Sequence, residues 1–504
     1  MMSPPDEDSN TFNGIYRRIK LAPWWISYNF GIAKEAVLQD KILELASNMG
    51  LQDKWVKKVV RHVVAEFSKA GMGPDYYGYH SIDHELEATY FTLLAAKGLK
   101  DDQTLIHKDK DVNYLFVAAL FHDFDPTKES IKPKEESIEQ FLRHDRMIQK
   151  FIQDVRISID IVMALIYRTA YPFQGENKEK AMKRMQELFT NAGIPESDLK
   201  TIRHYEDLGW FLSVAERVAG YALGDFARAA DLAKRNAHAL GWHSSLINFE
   251  SVNYFSRLKE ERPMVDLILQ AVPEEYKKRF HDNVAGFTRA WEKEVEIRSL
   301  VRNKQLVPVP VVEETRSGLE PDLKETLLRL CRELPPTIRM EEDDFRKSLM
   351  RSDTLLVTLR INDNQGAVVG YAKGGSLEAY KLREGTYDEN MGKRNTIYLE
   401  PMSIEPGYWG VGGGQLLRQK FVSEAKKRGY QFVTAYTHRE VIKGRMSGRV
   451  IERRMTKGEP IQIVRKYPDW RDYYRLNLAE IPAEEVLLTP VVTYEQENLE
   501  EQNL

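Results

Sequence analysis

The residues with the clearest potential for chemistry are three histidines and an aspartate in the first half of the chain. His80 and His84 are four residues apart, so they share one face if the segment is helical. His122 and Asp123 are adjacent and directly follow the apolar run 112–121. Folding alone gives no reason for a His-Asp pair at the end of such a run, whereas imidazoles and a carboxylate together suit a divalent transition metal. The pattern therefore predicts a metal site.

A glycine-rich stretch in the second half of the chain predicts a different kind of site. Four of the five residues from Gly410 to Gly414 are glycine, and the stretch lies between a predicted strand and a predicted helix. Glycines allow backbone amides to approach an anion closely, and the start of a helix adds a favourable dipole. A dinucleotide-binding Rossmann site fits poorly, because the strand lies late in a short domain and no βαβ unit follows it.

Apolar residues at intervals of three and four predict that the N-terminal part of the chain, which carries the histidines, is helical. Breakers such as Gly71–Pro74 and Asp125-Pro126 separate the helices. The predicted helices cover residues 54–67, 82–96, 112–121, 135–152, 157–167, 178–192, 208–223, 263–269 and 274–298. The candidate metal ligands then lie on, or directly beside, two of these helices.

The sequence changes in character after Leu300. The segment 306–312 contains two prolines, which exclude a helix and make it the best candidate for a linker. Strands are predicted at 354–361, 367–373, 396–404 and 431–437, enclosing a helix over 413–428. We therefore predict a multidomain protein with a flexible N-terminus (1–20), an all-α domain (21–300), a linker (301–320), an α/β domain with a mixed sheet (321–490) and a flexible acidic tail (491–504).

Composition narrows the classes of function. The chain has 504 residues, 42% hydrophobic and 30% charged, and a formal net charge of −3. These values are typical of a globular protein of two or three domains and argue against a nucleic-acid binder. The N-terminus does not resemble a signal peptide, the uncharged stretch 21–33 is too short to cross a bilayer, and a single cysteine, Cys331, favours a reducing compartment. We expect a cytoplasmic protein that acts on small molecules without a membrane partner, and the oligomeric state stays open.

The histidine pattern resembles the HD superfamily of metal-dependent phosphohydrolases, an all-helical family with a histidine, then a His-Asp pair, then a late aspartate. The resemblance covers roughly residues 50 to 240 and rests on the segment Tyr79–His84 and on His122-Asp123. It implies that His84, His122 and Asp123 bind the metal and that His80 acts as general acid. A metal that lowers the pKa of a bound water and an imidazole that titrates near neutral pH suit this reaction.

The late carboxylate departs from the family pattern. The helix that resembles the family's last ligand helix carries Glu216 where aspartate is usual, and Asp225 lies nine residues further on. Glutamate can bind a metal with a longer reach, so we take Glu216 as the fourth ligand and Asp225 as the alternative. His144 and His204 are isolated in the sequence, which favours one metal ion. Iron, manganese, zinc and magnesium are not distinguished by these residues.

The glycine stretch resembles the GNAT family of acyl-CoA-dependent N-acyltransferases, over roughly residues 335 to 440. In that family a strand leads to an Arg/Gln-x-x-Gly-x-Gly loop that holds the CoA pyrophosphate. The resemblance implies that Val411, Gly412, Gly413 and Gly414 bind acetyl-CoA or another acyl-CoA, with Trp409 in the Arg/Gln place.

The resemblance to the GNAT family also implies catalytic residues. Enzymes of the family often use a glutamate on the strand before the loop as base, which implies Glu400, with Glu405 at the turn as the alternative. The usual acid is a tyrosine after the next strand; here Tyr436 and His438 lie on or just past it.

The sequence thus predicts a two-domain enzyme, in which a metal-dependent phosphohydrolase acting on a phosphate ester or nucleotide is joined to an acyl-CoA-dependent N-acyltransferase. In one alternative, one domain is an inactive ligand sensor that regulates the other. In a second, the HD-type domain is a di-iron oxygenase, which requires two further histidine ligands between Asp123 and Glu216. In a third, both domains are inactive and serve as a scaffold.

Overall fold

The computed structural model describes residues 34–69, 78–100, 105–107, 109–124, 135–240, 246–315, 318–335, 338–439 and 461–481. The flexible N-terminus and acidic tail predicted at 1–20 and 491–504 lie outside these ranges. Contacts between Cα atoms group the chain into two units. Unit 1 includes Tyr79–Leu232 and Tyr254–Gly286 together with the helices before residue 70, and unit 2 includes Ala233–Asn253 and the chain from Phe287 onward. The predicted domain boundaries stay a prediction.

The first part of the chain is helical, as predicted. Helices α1 to α13 span Lys34–Asn48, Asp53–Lys69, Ile82–Lys100, Asp109–Phe121, Glu135–His144, Arg146–Val155, Ile159–Tyr167, Gly175–Asn191, Leu199–Ala222, Phe226–Leu240, Ile247–Glu260, Arg262–Ala271 and Glu274–Arg302. The HD-type identity of this helical part stays a prediction.

Helix α3 lies at the centre of unit 1 and packs against α1, α4 and α9. The end of α4, residues 115–121, is wholly buried, and so is nearly all of α9 from Leu208 to Ala222. Helices that are buried around their whole circumference, such as these parts of α4 and α9, are surrounded by other helices. The start of α3 and the end of α4 therefore lie in the interior of unit 1. Among the helices that the structure describes, none has the length and apolar character needed to cross a bilayer.

One predicted helix is two helices in the structure. The sequence pattern over 135–152 predicts a continuous helix, but α5 ends at His144 and α6 begins at Arg146. Asp145 between them has an extended backbone, and its side chain accepts a hydrogen bond of 2.9 Å from the amide of Ile148. An aspartate that caps the amides of a new helix offers the chain an alternative to continuing the old one.

The second part of the chain is an α/β structure built on a mixed sheet, as predicted. Strands β1 to β8 span Pro308–Glu313, Leu355–Ile361, Val368–Ser376, Thr396–Leu399, Ser403–Ile404, Phe432–His438, Ile461–Arg465 and Arg471–Asn477. Helices α14, α15 and α16 span Pro321–Arg332, Glu342–Leu349 and Gly413–Lys427. The strand order is β1-β2-β3-β4-β6-β8-β7, and β5 pairs with β3. The pair β4–β6 is parallel, and the other described pairs are antiparallel.

The two faces of the sheet carry separate apolar cores. Leu355, Val357 and Leu359 on β2 pack into one core with α16. Leu356, between them in sequence, lies in the other core with residues of α14 and α15. Side chains alternate between the two faces of a strand. The cores in which these residues of β2 lie therefore also show which face of the sheet their neighbours on the paired strands occupy.

The strands differ from the sequence prediction in three parts of the chain. The segment predicted as a linker is extended, as its prolines require, but it forms β1, and among the described strands it pairs with β2 alone. Prolines are tolerated at such an edge because no further strand needs their amide hydrogens. The strand predicted over 396–404 is interrupted at Pro401, which separates β4 from β5. Strands β7 and β8 were not predicted, because their charged and polar residues hide the alternation.

Candidate functional sites

The four predicted metal-binding residues come together in unit 1. His84 lies in the first turn of α3, His122 and Asp123 directly follow the end of α4, and Glu216 lies in the buried part of α9. Because α3 packs against both α4 and α9, residues that are far apart in sequence share one interior position. His84 and His122 are almost completely buried.

Three of the candidate ligand atoms form a nearly equilateral triangle. Nε2 of His84 lies 3.1 Å from Nε2 of His122 and 3.4 Å from Oδ2 of Asp123. Nε2 of His122 lies 3.3 Å from the same oxygen. Two ligand atoms that are each ~2.1 Å from one ion lie roughly 3.0–3.4 Å apart, in octahedral or tetrahedral geometry. The triangle therefore has the dimensions of one face of a metal coordination sphere.

Glu216 belongs to the same cluster, and Asp225 does not. A ligand atom from each of His84, His122 and Glu216 lies within 4.8 Å of the other two. Asp225 is exposed, and its carboxylate accepts a hydrogen bond of 3.0 Å from the amide of Arg228 at the start of α10. Burial raises the pKa of Glu216 to about 8, although the nearby His122 lowers it. A cation in the cluster would favour the ionised form of this carboxyl.

His80 lies beside the triangle and is more exposed than its neighbours. Its Nδ1 is 3.0 Å from Oδ2 of Asp123, and its side chain is 13% exposed, against 3% for His84. With Nδ1 directed at the carboxylate, Nε2 is the ring atom that can exchange a proton with a substrate. The ring of Tyr79 packs on His84 with 4.5 Å between centroids and closes this side.

Burial and neighbouring charges shift the pKa values of the candidate ligands in opposite directions. Burial lowers the pKa of His84, which favours the neutral imidazole that a metal requires. Burial alone raises the pKa of Asp123, but His80 and His122 hold it well below the ordinary value. The donor set combines imidazole nitrogens with buried carboxylates, and a divalent cation would balance their negative charge. These residues fit a metal ion by both their geometry and their chemistry.

Sequence reasoning missed Glu85, which lies behind His122. Nδ1 of His122 is 2.9 Å from the carbonyl of Ala119 and 3.1 Å from a carboxylate oxygen of Glu85, which is completely buried. The carbonyl of Ala119 can only accept a hydrogen bond, so in the neutral ring the proton is on Nδ1 and the lone pair of Nε2 faces the triangle. Glu85 follows a predicted ligand directly, and no spacing rule distinguishes it from an ordinary helical residue.

The two histidines between Asp123 and Glu216 lie elsewhere. His144 is exposed, with Nδ1 at 2.7 Å from the carbonyl of Gln140. His204 lies 3.2 Å from a carboxylate oxygen of Asp111 and stacks on His107. The structure therefore contradicts the requirement of the di-iron alternative, which needs both to converge on the metal cluster.

The glycine loop in unit 2, predicted to bind CoA, leads directly into the start of α16. Gly410 and Gly412 have φ values of 78° and 82°, which favour glycine. Gly412 is the N-cap of α16 and makes no side-chain capping bond, so the first amides of the helix have no partner within it. A Cβ atom at Gly413 would lie 2.5 Å from Cδ2 of Leu359, so the helix start packs directly on β2. Val411 is buried and anchors the loop.

Trp409 and Arg418 flank this loop. Nε1 of Trp409, in the place of the expected Arg or Gln, donates a hydrogen bond of 2.8 Å to the carbonyl of Ile404 and ties the loop to β5. Arg418 lies one turn after Gly414 on the same helix face, and helical side chains point back towards the N-terminus. Arg418 is half-buried, and burial lowers the pKa of its guanidinium to about 10. Within the described ranges its guanidinium has no partner, and an anion at the helix start would supply one.

The parallel strands β4 and β6 separate on the side from which the loop leaves. Their pairing runs from Thr396↔Phe432 to Tyr398↔Thr434 and then stops, because the chain after Leu399 turns and continues as β5 on β3. β6 continues to His438 on β8. Ligands of open α/β sheets bind at the carboxyl ends of parallel strands, where neighbouring strands diverge.

Glu400, the predicted base, lies at this opening and is buried in a polar network. Nζ of Lys373 donates a hydrogen bond of 2.5 Å to Oε1 of Glu400 and one of 2.7 Å to Oγ of Ser348. The hydroxyl of Tyr380 donates to the same Oε1 at 2.7 Å. Burial lowers the pKa of Lys373, and the negative charge of Glu400 opposes this shift. Lys373 and Tyr380 were not identified from the sequence, because neither lies in the glycine motif.

The alternative residues of this site have other partners. Glu405 lies 3.4 Å from Nζ of Lys293 and 3.7 Å from a guanidinium nitrogen of Arg329. The hydroxyl of Tyr436 accepts a hydrogen bond of 2.9 Å from the amide of Arg383. His438 is buried at the end of β6, with its ring 5.9 Å from that of Trp470. Glu400 directly follows β4, where the pairing of β4 with β6 ends, so of these candidates it is the one beside the opening in the chain.

No protein-family model matches the chain, and no curated protein matches its sequence. Several solved structures match its C-terminal region. One is the ribosomal-protein-S18-alanine N-acetyltransferase from Escherichia coli, with 13% identity over 34% of this chain and 94% of that chain and a TM-score of 0.22. Another is Arabidopsis thaliana NAA60 in complex with acetyl-CoA, with 16% identity over 34% and 96% and a TM-score of 0.23. A third is the ribosomal-protein-alanine N-acetyltransferase from Brucella melitensis, with 15% identity over 33% and 99% and a TM-score of 0.22. These matches cover about a third of the chain and lie in its C-terminal region.

Proposed function

We propose that unit 2 transfers an acyl group from acyl-CoA to an amine. The observation that carries this proposal is the shared edge of the sheet, where the β4–β6 pairing ends, Glu400 is placed and the glycine loop leads into α16. The unpaired amides at the start of α16, with Arg418 behind them, suit the CoA pyrophosphate. The gap between the strands would admit the thioester.

The residues support a direct transfer. The lone pair of the amine attacks the thioester carbon, a C–N bond forms, and the C–S bond breaks with release of CoA thiolate. Glu400 accepts the proton that the amine loses, directly or through water, and then gives this proton to the CoA thiolate, which returns Glu400 to the carboxylate. Nζ of Lys373 and the hydroxyl of Tyr380 both donate hydrogen bonds to Oε1 of Glu400, and these two bonds hold the carboxyl group in one position.

Replacing Glu400 with glutamine is expected to lower the rate of acetyl transfer by about 10²–10³, because the amide cannot take up the proton. The measurement is the release of free thiol from acetyl-CoA by the full-length chain with a panel of primary amines. Glu389→Gln, at a 62% exposed glutamate, is the matched control and should keep the rate. A loss in Glu405→Gln with full activity in Glu400→Gln would contradict the assignment of the base.

We also propose, for unit 1, a metal-dependent phosphohydrolase, supported by the triangle of His84, His122 and Asp123. A divalent ion held by these residues and Glu216 would polarise a phosphoryl oxygen and acidify a water molecule. In this proposal His80 protonates the leaving oxygen, and the carbonyl of Ala119 holds the ring of His122 in the tautomer that binds metal.

The expected result is release of inorganic phosphate from nucleotides or simple phosphate monoesters by the full-length chain. Treatment with a chelator should abolish the release, and a divalent metal should restore it. A metal that binds stoichiometrically without any phosphate release would favour the alternative in which unit 1 is a ligand sensor.

A further inference from the structure

A row of tyrosines extends from Glu400 along the sheet face opposite α16. Ile397 and Leu399 on β4 lie in the core under α16, so Tyr398 and Glu400 between and after them lie on the other face. The hydroxyl of Tyr380 reaches Glu400, as described above. The row then continues from Tyr398 to further tyrosines outside β4.

The rings of the row follow one another at contact distance. The centroid of Tyr398 is 4.5 Å from that of Tyr380 and 6.2 Å from that of Tyr436. The ring of Tyr467 is 6.0 Å from that of Tyr436. All four tyrosines are half-buried, so part of each side chain is open to solvent. The centroid distances within the row are those of interacting aromatic rings, so the row offers an extended aromatic surface next to the proposed base.

Tyr398 is the member of the row with an unused polar group. In the part of the chain that the structure describes, its hydroxyl has no hydrogen-bond partner. The hydroxyls of Tyr380 and Tyr436 bind Glu400 and the amide of Arg383, which fixes the rings on either side of it. The ring of Tyr398 therefore lies between two immobilised rings, two residues before the base.

We propose that the tyrosine row, Tyr380, Tyr398, Tyr436 and Tyr467, binds the acyl acceptor, and that this acceptor is a primary amine carrying an aromatic ring. The proposal rests on the acyltransferase function proposed for unit 2. The ring of the substrate stacks on the row while its amine reaches Glu400. The guanidinium of Arg383 lies 4.0 Å from the centroid of Tyr467 and covers part of that ring, at the end of the row away from Glu400.

The charges beside the row argue against a polyamine as acceptor. A polyamine needs several carboxylates that are available to its ammonium groups, and two carboxylates beside the row, Glu400 and Asp469, already have cationic partners. Glu400 binds Lys373, and Asp469 lies 3.1 Å from the guanidinium of Arg383. Aromatic stacking along the row favours a flat apolar substituent.

The test compares acceptors in the full-length chain with acetyl-CoA as donor. The probes are 2-phenylethylamine, butylamine, spermidine and a short peptide with a free N-terminus. Wild type is expected to prefer 2-phenylethylamine over butylamine by ~10–100-fold in kcat/KM, because burying one ring accounts for a factor of this size. Tyr398→Ala should reduce that preference at least about tenfold, whereas Tyr398→Phe, which keeps the ring, should retain it.

Further variants separate recognition from folding. Tyr467→Ala, at the far end of the row, should also reduce the preference, and Tyr387→Ala, at an 81% exposed tyrosine, should not. Equal use of 2-phenylethylamine and butylamine, a preference for spermidine or the peptide, or an equal loss for both simple amines in Tyr398→Ala would overturn the proposal.

Direct binding distinguishes failure of this inference from failure of the acyltransferase proposal. Isothermal titration with 2-phenylethylamine should show binding to wild type and none to Tyr398→Ala, even if no amine is acetylated. Absence of binding to a wild-type chain that still binds acetyl-CoA would overturn the acceptor site alone. Absence of acetyl-CoA binding would instead overturn the function on which it rests.

Discussion

Gly414→Glu is expected to weaken acetyl-CoA binding at least ~100-fold and to leave the fold intact. Gly414 lies in the first turn of α16, and a Cβ atom there would meet only Cδ1 of Ile404, at 3.7 Å, an ordinary contact distance. An acidic residue in a first turn favours the helix through its dipole. Two negative charges ~4 Å apart near a protein surface repel by roughly 4 kcal/mol, so a carboxylate at the proposed pyrophosphate site opposes binding strongly.

Isothermal titration of the full-length chain with acetyl-CoA measures this effect. Gly414→Ala is the matched control, because it adds a Cβ without a charge and should change the affinity by less than about threefold. Thermal unfolding of the two variants should give similar midpoints. Unchanged affinity in Gly414→Glu would show that the glycine loop does not hold the CoA phosphates.

His122→Ala is expected to reduce bound metal from about one ion per chain to near none, and to reduce phosphate release by about 10³ or more. Nε2 of His122 is one corner of the ligand triangle, so its loss leaves only the ligand atoms of His84 and Asp123. Atomic absorption of protein purified with metal present measures the first effect. A chromogenic phosphate assay measures the second.

Two further variants make this result interpretable. Asp123→Asn keeps the shape of the side chain and removes its charge, so it tests the site without a buried cavity. His144→Ala removes an exposed histidine outside the cluster and should keep the full metal content. Stoichiometric metal in His122→Ala, or loss of metal in His144→Ala, would contradict the assignment of the ligands.

Residue type and spacing were sufficient to identify the cluster in unit 1, because few side chains bind metals and the chain places three of them beside helices. The sequence favoured Glu216 over Asp225 by its place in the family pattern, and the structure brings Glu216, but not Asp225, to the cluster. Glu85 was not identifiable, because its role depends on which ring nitrogen of His122 faces it.

The helices and strands show the same contrast: local sequence patterns predict some of their features, and others depend on contacts with the rest of the fold. Helices with strong apolar periodicity were predicted, but the break at Asp145 depends on a capping bond that competes with helix continuation. The prolines of 306–312 excluded a helix correctly, yet pairing with β2 made the segment a strand. The turn at Pro401 directs Glu400 towards Lys373, a residue on a different strand that no motif connects to it.

The most direct test of the central claim is titration of the full-length wild-type chain with acetyl-CoA. The proposed site in unit 2 predicts one binding site per chain with a Kd of about 1 µM to 1 mM, the range in which enzymes bind their substrates. It also predicts that a primary amine added to this complex is acetylated with release of free CoA. No detectable binding of acetyl-CoA at millimolar concentration by a chain that is folded would contradict the claim.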